Sequence, residues 1–218
     1  MLIQGIRARI GNKLILPDHN LEISKGVNLV LGQNGAGKTT LLRSIIRAFY
    51  ERGGLITRGY VPAEFSAPEI QVREVLVSGT RNNLASYAEY IQYFGLTNLL
   101  DRSFSSLSTG EKKLVLIAKA LVEGDLVMMD EPTSGLDVKN QSKVMRTVTK
   151  LKSRKDFIIA VHDLNWLNQA DRVILLKNGE IIWQSGPQEL REDILEKLYE
   201  IRVKRVEIDE KTIFIFDL

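Results

Sequence analysis

The loop Gly32-Gln33-Asn34-Gly35-Ala36-Gly37-Lys38-Thr39 constrains this chain more than any other feature. It lies between an apolar run at 27–31 (VNLVL) and a helix expected from residue 38 to about residue 50. Glycines here let the backbone curl so that successive N–H groups point at a single anion. A helix starting at Lys38 adds the partial positive charge of its N-terminus. The spacing G-x-x-x-x-G-K-[ST] between strand and helix is that of a phosphate-binding loop. In this reading Lys38 reaches the β- and γ-phosphates, Thr39 offers its hydroxyl to Mg²⁺, and Thr40 completes the anion-facing set.

Composition narrows the classes further. The chain has 218 residues, 44% hydrophobic and 26% charged, as expected of a folded globular protein. Thirty Lys and Arg against 27 Asp and Glu leave a net charge of +3, too balanced to imply a nucleic-acid partner. There is no cysteine, which excludes disulfides, Cys-bound zinc and thiol catalysis, and two histidines, His19 and His162, cannot build a multi-His metal centre. No apolar run approaches the ~18 residues of a spanning helix, and residues 1–10 lack a signal-peptide core. Any membrane role is expected to run through a partner.

Along the chain, residues 2–10 and 12–16 read as strands about a Gly11-Asn12 turn, and 20–24 as a further strand. Residues 55–61 read as a strand stopped by Pro62, followed by a loop. The stretch 70–122 reads as helical, with Leu84, Tyr87, Ile91 and Phe94 approximating one helical face. Strands at 126–129, 157–161 and 172–176 then alternate with helices at 138–151 and 163–170. Asn178-Gly179 marks a hairpin into a strand at 180–184, Pro187 can open a helix, and 203–217 read as two strands about 209–211. The alternation argues for an α/β fold with a helical insertion.

A second chemical feature is the apolar run 126–129 ending in Asp130 and Glu131. Carboxylates at the C-terminal end of a parallel strand stand where α/β sheets place ligands. Asp130 is expected to hold Mg²⁺, and Glu131 to orient and polarise an attacking water as general base.

Further elements follow in a fixed order: Leu107-Ser108-Thr109-Gly110-Glu111 before the acidic strand, Ser134-Gly135-Leu136-Asp137 after it, and His162 after the strand at 157–161. With the phosphate loop and the helical insertion, this order resembles the nucleotide-binding subunits of ABC transporters over nearly the whole chain. The resemblance implies a P-loop NTPase core with an N-terminal antiparallel β subdomain. Residues 1–218 then form a single ATPase domain, with a helical subdomain inserted at about 65–122 and C-terminal strands and helix at about 171–218. It implies Mg²⁺-dependent ATP hydrolysis, with catalytic roles for Lys38, Glu131 and His162. Ser108, Thr109 and Gly110 would meet the γ-phosphate held by a second copy, and Asp137 would connect the two sites. Two ATP molecules would be sandwiched head to tail between two subunits. The partners implied are membrane permease subunits at the cytoplasmic face, and through them an external capture protein.

Several positions depart from the family pattern. Ala63 stands where a Gln is usual, and neighbouring Glu64 is expected to substitute for it toward Mg²⁺. Ile10 occupies the position of the aromatic that stacks on adenine. Thr109 and Glu111 replace the usual Gly and Gln of the signature. The segment 72–79 (VREVLVSG) and the C-terminal 195–199 (LEKLY) followed by strands resemble ATPases of metal-chelate importers, which handle siderophores, haem and cobalamin. Tyr87, Tyr90, Tyr93 and Phe94 either pack within the insertion or line a groove for a permease helix. Two other functions remain open at this level: a regulatory nucleotide-binding module with little turnover, and an ABC ATPase acting outside transport.

Overall fold

The central strands carry apolar side chains on both faces, which only a sheet covered on both sides can bury. In the computed structural model, which describes residues 2–10, 13–51, 57–208 and 211–217, that is what they form. The strands are β1 (Leu2–Ile10), β2 (Lys13–Glu22), β3 (Val27–Leu31), β4 (Arg58–Val61), β5 (Leu126–Asp130), β6 (Asp156–Val161), β7 (Arg172–Lys177), β8 (Glu180–Ser185), β9 (Val203–Ile208) and β10 (Lys211–Phe216). The α-helices are α1 (Lys38–Glu51), α2 (Val72–Val77), α3 (Ala88–Phe94), α4 (Thr109–Glu123), α5 (Val138–Leu151) and α6 (Glu192–Tyr199).

The main sheet runs β4-β5-β6-β3-β7-β8, parallel except for β8. Along each central strand alternate residues enter different cores. Leu29, Val127, Ile159 and Leu175 join the core that also takes in α4 and α5. Val30, Met128, Ile158 and Ile174 join the opposite core, with Leu41, Leu42, Ile45 and Phe49 of α1 and with Ile3, Leu16 and Leu21 of the N-terminal hairpin. The α/β P-loop fold is therefore as expected.

Three local readings change. Residues 13–22 form one strand, not two, because β2 absorbs Pro17 in an irregularity: Ile6 pairs with His19 but Ala8 pairs with Leu16. The extra residue there lets a residue without an N–H sit beside a paired strand. Residues 163–170 form a 3₁₀ segment, Leu164–Gln169, rather than an α-helix. The insertion is not continuously helical: α3 is preceded by a 3₁₀ turn, Leu84–Tyr87, capped by the Asn83 side chain. The expected Gly11-Asn12 turn and residues 52–56 lie outside the described residues.

β4 presses against α4 at Gly59, where a Cβ would collide with the Ala120 main chain. This close approach seats α4 against the sheet edge. No helix among the described residues is long and apolar enough to cross a membrane.

Candidate functional site

Parallel register brings the strand ends level. Leu31 of β3 pairs with Val161 of β6, and Asp130 of β5 pairs with Ala160. The segments that follow these three strands therefore emerge side by side: the loop 32–37, Glu131 and His162. Such a crevice beyond the carboxyl ends is where α/β sheets bind ligands.

The loop leads into α1 with Gly35 at φ +80° and Gly37 at φ +103°, conformations that L side chains rarely adopt. Gly32 is required for a different reason: a Cβ there would stand 2.5 Å from the Leu176 carbonyl. The Asn178-Gly179 turn joins β7 to β8 as expected, and its Gly179 N–H donates to the Ala36 carbonyl at 2.8 Å, bracing the loop from behind. Gln33 donates from Nε2 to the Leu198 and Tyr199 carbonyls, both at 3.3 Å. Lys38 is 7% exposed, and its ammonium donates to the Gly32 carbonyl at 2.8 Å and to Gln33 at 3.3 Å.

Glu131 completes the cluster. Its Oε1 lies 3.5 Å from Lys38 Nζ and its Oε2 lies 3.0 Å from His162 Nδ1. Its backbone sits at φ +48°, the left-handed region, which costs a non-glycine residue about 1–3 kcal/mol. The Glu131 N–H donates to the Ala160 carbonyl at 2.8 Å, which helps hold that conformation. Asp130 is 1% exposed and neither of its oxygens accepts a hydrogen bond. Burial pushes its carboxyl above the usual carboxylate range. The nearby Thr39 hydroxyl opposes this, Glu131 adds to it, and Lys38 and Arg43 pull the other way. Two buried, unpartnered carboxylate oxygens beside a threonine hydroxyl are a hard oxygen donor set that fits Mg²⁺.

Other residues singled out in the sequence lie elsewhere. Glu64 is exposed beyond β4 and makes no hydrogen bond or ion pair with Lys38, Thr39, Asp130 or Glu131. The Ile10 side chain lies outside the described residues. Ser108, Thr109 and Gly110 open α4 and make no hydrogen bond to residues 32–40. Their neighbour is instead the 134–137 turn: a Cβ on Gly110 would lie 3.3 Å from the Gly135 carbonyl. Asp137 caps α5 by accepting from the Asn140 N–H at 2.7 Å.

Ser108 and Glu111 form a capping box. The Ser108 hydroxyl donates to Glu111 Oε2 at 2.7 Å, and the Ser108 N–H donates to the same oxygen at 2.8 Å. These bonds hold the Glu111 carboxyl below the usual range. Among the aromatics of the insertion, Tyr87 and Phe94 are buried, whereas Tyr93 is exposed.

Two residues near the cluster were not expected from the sequence to be buried beside it. Lys113, on the inner face of α4, is 2% exposed. Tyr199, at the end of α6, has a buried hydroxyl without a hydrogen-bond partner. Its pKa is pushed up to about 12 by burial first, then by the Glu131 and Asp163 carboxylates. A lysine in a helix and a tyrosine near the C-terminus carry no sequence pattern that marks them as buried.

Fold and loop together define a P-loop nucleotide-binding protein. More narrowly, the chain belongs to the ABC transporter family, whose profile matches residues 16–134. It is 34% identical over 199 residues to the zinc import ATP-binding protein ZnuC of Halorhodospira halophila, covering 85% of this chain and 76% of that protein. It is also 34% identical over 228 residues to the hemin import ATP-binding protein HmuV of Aliivibrio fischeri, covering 89% and 88%. A metal-chelate type ABC transporter solved in an inward-facing conformation shares the fold, with a TM-score of 0.77 at 24% identity over 100% of this chain and 96% of that one.

Proposed function

We propose that this chain is the ATP-hydrolysing subunit of an ABC importer that takes up a metal ion or a metal chelate. The observation that carries the reading is the convergence of the loop 32–39, Asp130, Glu131 and His162 at the level ends of three adjacent strands. Backbone N–H groups of the loop and the N-terminus of α1 bind the phosphates, and Lys38 turns its ammonium to the β- and γ-phosphates. Thr39 and Asp130 would hold Mg²⁺, which when bound would neutralise charge shared by those phosphates. Glu64, exposed on the loop after β4, would reach the ion from there in place of the missing glutamine. Glu131 orients the attacking water and accepts its proton, while His162 faces the γ-phosphate and holds the Glu131 carboxylate in place.

Ser108, Thr109 and Gly110 stand with the 134–137 turn and not against the loop of their own chain. A second copy, turned head to tail, supplies them to the first copy's ATP. Asp137 lies where the two sites meet. In this reading residues of about 65–122 are the inserted subdomain that presents the signature, and those of about 171–218 complete the core. The subunit works at the cytoplasmic face on a permease, with an external capture protein delivering cargo. The zinc and hemin import relatives support a metal ion or metal chelate as the cargo class.

Light scattering of Glu131→Gln tests the sandwich. Saturating ATP should convert monomer to dimer, and Lys38→Ala should abolish the conversion. A Glu131→Gln protein that binds ATP but keeps its mass would contradict the arrangement.

A further inference from the structure

Three charged side chains are buried among the described residues: Lys38, Asp130 and Lys113. The first two belong to the nucleotide site. Lys113 has no part in the chemistry above, yet its surroundings are specific. From α4 its ammonium donates to the Glu131 carbonyl at 2.8 Å and to the Ser134 carbonyl at 3.1 Å. A methionine of similar length would fill the same space without desolvating a charge, so packing alone does not explain the residue. Two of its three N–H donors are spent on main-chain oxygens at two functionally placed points.

The first point is the strained residue. With its N–H bound to Ala160 and its carbonyl bound to Lys113, Glu131 has both peptide groups anchored, and its carboxylate direction follows from them. The second point lies in the turn that ends at Asp137. Lys113 itself is on the helix that Ser108 caps. One ammonium thus joins the signature helix, the catalytic strand end and the turn between them.

We propose that Lys113 is a positioning residue that sets the Glu131 carboxylate for water attack and ties it to the signature helix, so that nucleotide engaged by Ser108 of one subunit is registered at that same subunit's own Glu131. This rests on the sandwich reading above. It makes each subunit's contribution to its partner's site mechanically continuous with its own hydrolytic centre. Burial draws the Lys113 pKa down, while the Glu131 and Asp130 carboxylates oppose that shift.

The test compares wild type, Lys113→Met and Lys113→Arg in steady-state Mg²⁺-ATP hydrolysis, with trinitrophenyl-ATP as the binding probe. Lys113→Met should bind the probe within twofold of wild type and keep KM within threefold. It should lose tenfold or more in kcat, and its Hill coefficient for ATP should fall toward one. Lys113→Arg, which keeps the donors, should recover at least a third of wild-type kcat. Should Lys113→Met not fold, Lys113→Gln makes the same comparison. A kcat within twofold of wild type overturns the proposal, as does probe binding lost in step with kcat. Wild type that binds the probe without turnover instead sinks the ATPase reading, and the proposal falls with it.

Discussion

His162 Nδ1 stands 3.0 Å from Glu131 Oε2, at the ends of adjacent strands β6 and β5. With Nδ1 turned toward Glu131, Nε2 is the ring nitrogen left to meet a ligand. The Glu131 carboxylate thus stands between the imidazole on one oxygen and the Lys38 ammonium on the other. His162→Ala should lower kcat on the order of 10²-fold, with a much smaller change in KM. Stopped-time phosphate release across an ATP series separates the two parameters.

At Asp130 the cost of burial outweighs the relief from Thr39, Lys38 and Arg43. Its raised pKa means that the folded chain binds that proton more tightly than the unfolded chain. Stability therefore falls as pH rises from the unfolded pKa toward the folded one. Asp130→Asn removes the buried charge. In the absence of nucleotide and Mg²⁺ it should be more stable at pH 7 by about 1 kcal/mol or more, a Tm rise of roughly 2–4 °C. It should also lose Mg²⁺-dependent hydrolysis. A lower Tm would show that the carboxylate is compensated in the folded protein.

Glu111 accepts from the Ser108 hydroxyl at 2.7 Å, and in the proposed sandwich its negative charge would stand where phosphate is received. Glu111→Gln keeps the helix cap but removes the charge. ATP-driven dimerisation should then occur at roughly tenfold lower ATP, a gain of about 1.4 kcal/mol. Titration by light scattering in an Glu131→Gln background reads this directly. An unchanged midpoint would place Glu111 away from the phosphate.

Tyr199 gives a signature at high pH. Its folded pKa of about 12 lies above the ordinary 10.0. Between these values the unfolded chain releases a proton that the folded chain keeps. The stability present below pH 10 is thus lost as pH rises toward 12, by about 2–3 kcal/mol in total. Tyr199→Phe should flatten that part of the denaturation profile. An identical decline in the variant would assign the effect to other tyrosines.

Much of this architecture is written in local chemistry. The glycine pattern at 32–37, the apolar runs of β5 and β6 and the Asn178-Gly179 turn each carry their conformation in a few adjacent residues. What escaped depends on distant partners. The single strand 13–22 exists because β1 pairs across Pro17, which a local reading takes as a break. The 3₁₀ turn at Leu84–Tyr87 is settled by the Asn83 cap and by burial of Tyr87. The site divides along the same line. Lys38, Asp130, Glu131 and His162 follow recognisable strands, whereas Lys113 is a charged helix residue that only the packed structure shows to be internal. Glu64, proposed to stand in for a missing glutamine because it is adjacent in sequence, has an exposed side chain on the loop after β4.

The central claim is that Glu131 is the base of a working ATPase. Steady-state hydrolysis of Mg²⁺-ATP by the purified chain, with Glu131→Gln measured beside it, tests this most directly. Wild type should turn over, and the variant should fall by about 10²–10⁴-fold while still binding ATP. Turnover in Glu131→Gln within a few-fold of wild type would contradict the account.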